Sequence, residues 1–156
     1  SAADNIGQQS GAWTIEWQGV DGNWIAGTSI LAGIKQAVGS EITIDYDKTA
    51  DFNTTDLMAD VGIAVVGEKP YAEGRGDNAH PELSVEDLAT IAKLKKVSKK
   101  IVVVIVSGRP LDIRPYSKEW DTIIAAWLPG SEGQGVADVL FGDYPFTGKL
   151  PVSWEL

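Results

Sequence analysis

Three short runs constrain this chain most. VGIAVV (61–66), IVVVIV (101–106) and TIIAAW (122–127) are continuous, apolar and rich in β-branched residues. None alternates with polar residues, so none reads as a strand with one wet face. Continuous runs of this kind suit strands covered on both sides, as in a parallel sheet. Each run opens into turn chemistry, GEKP, SGRP and LPGS in order. A fourth segment, EITIDY (41–46), alternates more and reads as a strand nearer an edge.

Helical patterns separate the runs. GTSILAGIKQAVG (27–39) carries Ile30, Ile34, Ala37 and Val38 at helical spacing and stops at Gly39. Ser84 is an N-cap residue with Glu86 and Asp87 in the first turn. Leu83 and Leu88 around it match a hydrophobic staple. SEGQGVADVLFG (131–142) predicts a further helix starting at Ser131 and ending near Gly142. Strands alternating with helices predict an α/β domain, a mostly parallel sheet flanked by helices in an αβα sandwich. Its size suits one domain, 1–156, with no internal repeat and no low-complexity linker.

Composition then removes function classes. The net charge of −9 leaves no basic face for nucleic acid, whose binding releases counterions from phosphates. Lys93, Lys95, Lys96, Lys99 and Lys100 form one basic cluster, read as a helix end where cations complement the dipole. IVVVIV is far shorter than the ~20 apolar residues of a membrane span. The chain holds no cysteine, so disulfides, thiolate metal sites and cysteine nucleophiles are out. Its single histidine, His80, reads as a solvated loop residue, and no metal site is expected. GSEGQG (130–135) lacks the spacing of a phosphate or dinucleotide loop, and its glycines read as packing residues. A nucleotide-binding flavodoxin-like domain is disfavoured for the same reason, and no cofactor is expected.

The richest chemistry lies in GEKPYAEGRGD (67–77), which leaves the carboxyl end of the first run. Open α/β sheets bind ligands beyond the carboxyl ends of their strands. From Gly67 to Leu83 no element is recognisable, and connections that long are usually functional or disordered. The stretch carries Glu68, Glu73 and Asp77 beside Lys69 and Arg75. A general acid needs an environment that keeps it protonated near working pH, and neighbouring charges can supply one. The same residues would also make an ordinary solvated loop, and spacing alone leaves both readings open. Trp13 and Trp17, in the glycine-flanked GAWTIEWQG, are open in the same way: sugar stacking or plain packing. Trp127 reads as packing.

Four stretches taken together resemble the C-terminal domain of glycoside hydrolase family 3, the β-glucosidases and β-glucan exohydrolases. They are ADNIGQQSGAWTIEWQG (3–19), VGEKPYAEGRGDN (66–78), SGRPL (107–111) and AAWLPGSEGQGVADVLFGDYPFTGKLPVSW (125–154). They run nearly end to end and in family order. The resemblance implies a two-domain enzyme whose N-terminal (β/α)8 barrel, not present in this sequence, carries the nucleophilic aspartate. It implies an α/β sandwich whose first strand would precede Ser1. By motif position, Glu73 matches the acid/base of the exohydrolase branch, with Glu68 as its rival. Trp17 matches a tryptophan at the +1 subsite, Trp13 lies beside it with a weaker role, and Arg75 and Asp77 would support the loop.

The implied substrate is a β-glucoside or β-glucan oligosaccharide, cleaved with retention. The implied compartment is extracellular or periplasmic. A non-catalytic carbohydrate-binding or structural α/β module is the competing expectation.

Overall fold

The computed structural model describes residues 1–52 and 58–154. Among those residues the sheet has three strands: β1 (Gly62–Gly67), β2 (Ile101–Val106) and β3 (Thr122–Ala125). They lie in the order β1-β2-β3, and both pairings are parallel. Gly62 pairs with Ile101, and Val102 pairs with Thr122. The third run therefore yields a strand shorter than TIIAAW. Ala126 N–H still bonds to Ile105 O, and Trp127 then turns away in a left-handed conformation.

Among the described residues four α-helices accompany the sheet: α1 (Ile6–Ser10), α2 (Ile30–Val38), α3 (Val85–Lys96) and α4 (Gly133–Phe141). Side chains of successive strand residues point to opposite faces, so each run fills two cores. Val65, Val104, Val106 and Ile124 face Ile30, Leu31 and Ile34 of α2 and Val136 and Ala137 of α4. Ala64, Val66, Val103 and Ile105 face Leu83, Ile91, Leu111 and Ile113 on the side of α3. This is the αβα sandwich that unbroken apolar runs require. Each such buried valine, leucine or isoleucine contributes about 1.5–3 kcal/mol.

The helix ends follow their caps. Ser29 Oγ accepts from Ala32 N–H, and Ser84 Oγ accepts from Asp87 N–H. Leu83 and Leu88 join the same core on either side of Ser84, as the staple predicts. α4 starts later than expected, with Glu132 rather than Ser131 at its cap position. Of the three glycines in GSEGQG, Gly133 is the packing residue; a Cβ on Gly130 or Gly135 would meet nothing within 4 Å. A Cβ on Gly133 would lie 2.5 Å from Ile30 N, and one on Gly33 would lie 2.9 Å from Gly133 O. α2 and α4 therefore meet backbone to backbone.

EITIDY is not a strand. Ile44 packs at the margin of the core, but Ile42 and Tyr46 are exposed. Alternation there marks one anchoring side chain, with no ladder partner among the described residues to make a strand of it. The lysine cluster behaves as expected. Lys93, Lys95 and Lys96 lie in the last turn of α3, and Lys93, Lys95, Lys99 and Lys100 pair with Asp51, Glu119, Asp60 and Asp121 on the surface. Among the described residues no helix is long and apolar enough to cross a membrane.

Candidate active site

GEKPYAEGRGD leaves the carboxyl end of β1, and SGRP leaves the carboxyl end of β2 beside it. The two loops meet through charge. Arg109 Nε and Nη2 both donate to Glu68 Oε1, at 3.0 and 2.7 Å. Arg109 Nη1 donates to Gly76 O at 2.6 Å. Tyr71 Oη donates to Glu68 Oε2 at 3.0 Å, and the guanidinium sits 4.5 Å from the centre of the Tyr71 ring. Burial raises the Tyr71 phenol to about 12, helped by the charge of Glu68 and its hydrogen bond. Hydrogen bonding to Glu68 raises Arg109 above its already high value. Both oxygens of Glu68 are thus engaged, and its side chain is only 14% exposed.

Glu73 is placed differently. It opens a 3-10 turn (Glu73–Gly76), is exposed, and has a backbone φ of 40°. A left-handed non-glycine residue costs on the order of 1–3 kcal/mol, and such residues cluster at functional sites. Its Oε2 accepts a hydrogen bond from Trp17 Nε1–H. That bond crosses from the GAWTIEWQG segment, which folds as a tight excursion of its own. Trp13 N–H bonds to Trp17 O at 3.1 Å, and Trp13 and Ile15 have φ of 60° and 68°. The Trp13 and Trp17 rings lie 6.4 Å apart, tilted by 47°. They are 72% and 53% exposed, which rules out simple core packing within the described chain.

Two further contacts fix the segment against the carboxylate loop. Gln18 Oε1 accepts from Ala72 N–H at 3.0 Å. Gly19 is pressed so closely that a Cβ would lie 2.5 Å from both Pro70 Cβ and Gly11 O. Beneath this junction, Gln8, Ser10, Gly11, Glu68, Tyr71 and Ser107 line a cavity of about 240 Å³. A larger cavity of about 380 Å³ lies between β3 and α4, is walled mainly by apolar side chains, and shares no residue with the carboxylate loop. The chemistry argues for the smaller one.

The base of the segment rests on α1, which sequence periodicity did not reveal because the helix is only 5 residues long. Asn5 caps it by accepting from Gln8 N–H, and the same oxygen accepts from Gly22 N–H. Gln9 is fully buried. Its amide donates to Thr28 O and Gly130 O and accepts from Ile30 N–H. Gln9 therefore ties α1 to the start of α2 and to the loop before α4.

The structure brings Glu73, Trp17 and Trp13 together and sets Glu68 apart, engaged with Arg109 and Tyr71. Arg75 and Asp77 lie exposed on and after the 3-10 turn, which Asp77 N–H closes onto Gly74 O. The side chain that grips the loop is Arg109, which sequence reading met only inside SGRPL. His80 is exposed, and its backbone N–H bonds to Asn78. Among the described residues no group of three or more His, Asp or Glu side chains is placed to hold a metal ion. Trp127 packs against Trp154, ring centres 5.5 Å apart.

The family model described as "Glycosyl hydrolase family 3 C-terminal domain" matches residues 1–156. A lysosomal beta glucosidase of Dictyostelium discoideum is 30% identical over 98% of this chain and 21% of its own length. A periplasmic beta-glucosidase of Salmonella typhimurium is 34% identical over 86% of this chain and 23% of its own. A solved exo-1,3/1,4-beta-glucanase mutant from a Pseudoalteromonas species superposes with a TM-score of 0.75 at 37% identity, covering 90% of this chain and 23% of that one. The chain thus spans between a fifth and a quarter of each of these proteins. It belongs to the family of glycosyl hydrolase family 3 C-terminal domains.

Proposed function

We propose that this family 3 domain supplies Glu73 as the general acid/base of a retaining, exo-acting β-glucosidase or β-glucan glucohydrolase. In this reading the domain works beside a (β/α)8 barrel that carries the nucleophilic aspartate. Trp17 forms one wall of the +1 subsite, where the leaving sugar sits, and Trp13 backs it. The observation that carries the reading is the contrast between the two glutamates. Glu68 is spent on Arg109 and Tyr71, whereas Glu73 stands exposed at the loop tip, in a left-handed backbone, beside an exposed indole.

The chemistry runs in two displacements. The aspartate attacks the anomeric carbon while protonated Glu73 gives its proton to the leaving oxygen, and the C–O bond breaks. Glu73, now a carboxylate, takes a proton from water as that water attacks the glycosyl ester. The sugar leaves with its configuration retained, and Glu73 is protonated again. Retention needs the two carboxyls about 5 Å apart. The barrel supplies the second one, so the chain alone does not turn over glucosides. The periplasmic and lysosomal relatives support a site of action outside the cytosol.

Glu73→Ala and Glu68→Ala in the intact two-domain enzyme test the assignment. A 2,4-dinitrophenyl glucoside needs no acid to leave, whereas cellobiose and laminaribiose do. Glu73→Ala keeps kcat/KM on the aryl glucoside and loses it on the disaccharides. If Glu68→Ala gives that split instead, the acid is Glu68. If neither does, the domain binds sugar or braces the barrel without catalysing.

A further inference from the structure

We infer that Arg109 is a positioning residue for the acid/base, acting through the backbone of its loop. The inference rests on Glu73 being that acid/base. The guanidinium bonds of Arg109 go to Glu68 and Gly76 O rather than to Glu73. It grips the loop at both ends, at Glu68 as the chain leaves β1 and at Gly76 where the 3-10 turn closes. Glu73 lies between those grips.

Four features make the brace stiff. The guanidinium is planar, so one fork fixes two bonds to Glu68 and a third to Gly76 O in a set relation. Tyr71 closes the other side, bonding Glu68 with its hydroxyl and lying under the guanidinium with its ring. Gly76 fits only because it has no side chain, since a Cβ would lie 2.3 Å from Tyr71 Cδ2. Arg109 is itself anchored, because Ser107 Oγ donates to Arg109 O at 2.7 Å across the turn that follows β2. The rigid sheet thus sets the height of the loop. The left-handed backbone at Glu73 then turns the carboxylate toward Trp17.

Lysine in place of Arg109 keeps the charge and reaches Glu68, but its single ammonium cannot also hold Gly76 O in the same geometry. Misplacing a catalytic group by about 1 Å can cost on the order of a hundredfold in rate. The loss should fall on proton donation and leave nucleophilic attack alone.

The test compares Arg109→Lys, Tyr71→Phe and Glu73→Ala in the intact enzyme, with Tm measured for each. The readout is kcat/KM on cellobiose divided by kcat/KM on 2,4-dinitrophenyl glucoside. Arg109→Lys is expected to lower that ratio at least about tenfold, a selective loss of acid assistance. Tyr71→Phe, which keeps the ring and loses one hydrogen bond, lowers it by about threefold to fivefold. Loss of folded protein would lower both substrates equally and leave the ratio unchanged.

If Glu73→Ala lowers the ratio and both brace variants leave it unchanged, the inference is overturned. Should Arg109→Lys fail to fold, Tyr71→Phe decides alone by the same ratio. A Glu73→Ala enzyme with an unchanged ratio overturns the assignment of Glu73 itself, and the inference with it.

Discussion

Glu68→Gln tests whether Glu68 serves the loop as an ion-pair partner. The substitution keeps the shape and removes the charge. In the folded protein Glu68 receives two bonds from the Arg109 guanidinium and one from the Tyr71 hydroxyl. A hydrogen bond to a charged group is worth about 1.5–3 kcal/mol, and breaking a fully buried ion pair costs about 3–5 kcal/mol. Arg109 keeps 26% of its side chain in solvent, so screening lowers that figure, and about 2 kcal/mol is expected. For a domain of this size that is a fall in Tm of about 4–8 °C.

The same change alters the neighbouring phenol. The Glu68 charge and hydrogen bond both raise Tyr71, so without them its pKa moves down from about 12 toward, but not to, its ordinary value of 10.0, because burial remains. The sign follows from the raised value. A group that is harder to deprotonate when folded contributes stability that is present below pH 10.0 and lost as pH rises toward about 12. Glu68→Gln narrows that alkaline window. Phenolate absorbance, with Tyr71→Phe subtracted to isolate one residue, reads the pKa. A Tm within ~1 °C of the parent, together with a Tyr71 that titrates identically in both proteins, would refute the reasoning.

Three other outcomes follow from the geometry. Gln9→Ala removes three buried side-chain hydrogen bonds and should cost about 3 kcal/mol, seen in chemical denaturation as a lower midpoint at unchanged slope. Gly67→Ala places a Cβ 1.8 Å from Val106 O at a φ of 153°, so a loss of roughly 3 kcal/mol or more is expected, whereas Gly74→Ala meets nothing within 4 Å and leaves Tm near the parent's. Trp17→Phe keeps an aromatic wall but loses the N–H that reaches Glu73; kcat on cellobiose should fall about fivefold while KM changes less, and steady-state kinetics separate the two.

Much of the fold was legible because burial on both faces leaves a direct mark. A strand that fills two cores has no polar positions, and VGIAVV and IVVVIV have none. Ser84, Leu83 and Leu88 announced α3 through local capping chemistry that needs no tertiary partner. EITIDY misled because alternation records which side chains are anchored, not whether a neighbouring strand exists to pair with. α1 was illegible because its 5 residues span too little of a helical period, and it is held by bonds beyond itself, from Asn5 to Asp21 and Gly22 and from Gln9 to Gly130. In the site, the residue types of the carboxylate loop left acid chemistry and a plain solvated loop both open, and did not choose between Glu68 and Glu73. The difference lies in Arg109, which follows a different strand. Only the parallel register of β1 with β2 sets the two loops side by side, and that register is a property of the fold.

Azide rescue of Glu73→Ala in the intact enzyme tests the central claim most directly. With a 2,4-dinitrophenyl β-glucoside, removing the base stalls hydrolysis of the glycosyl ester, so kcat and KM fall together. Azide needs no base to attack. Azide is expected to restore kcat by at least about tenfold and to give β-glucosyl azide, its configuration retained. No rescue, or an α-configured azide, would contradict the assignment of Glu73 as the acid/base of a retaining enzyme.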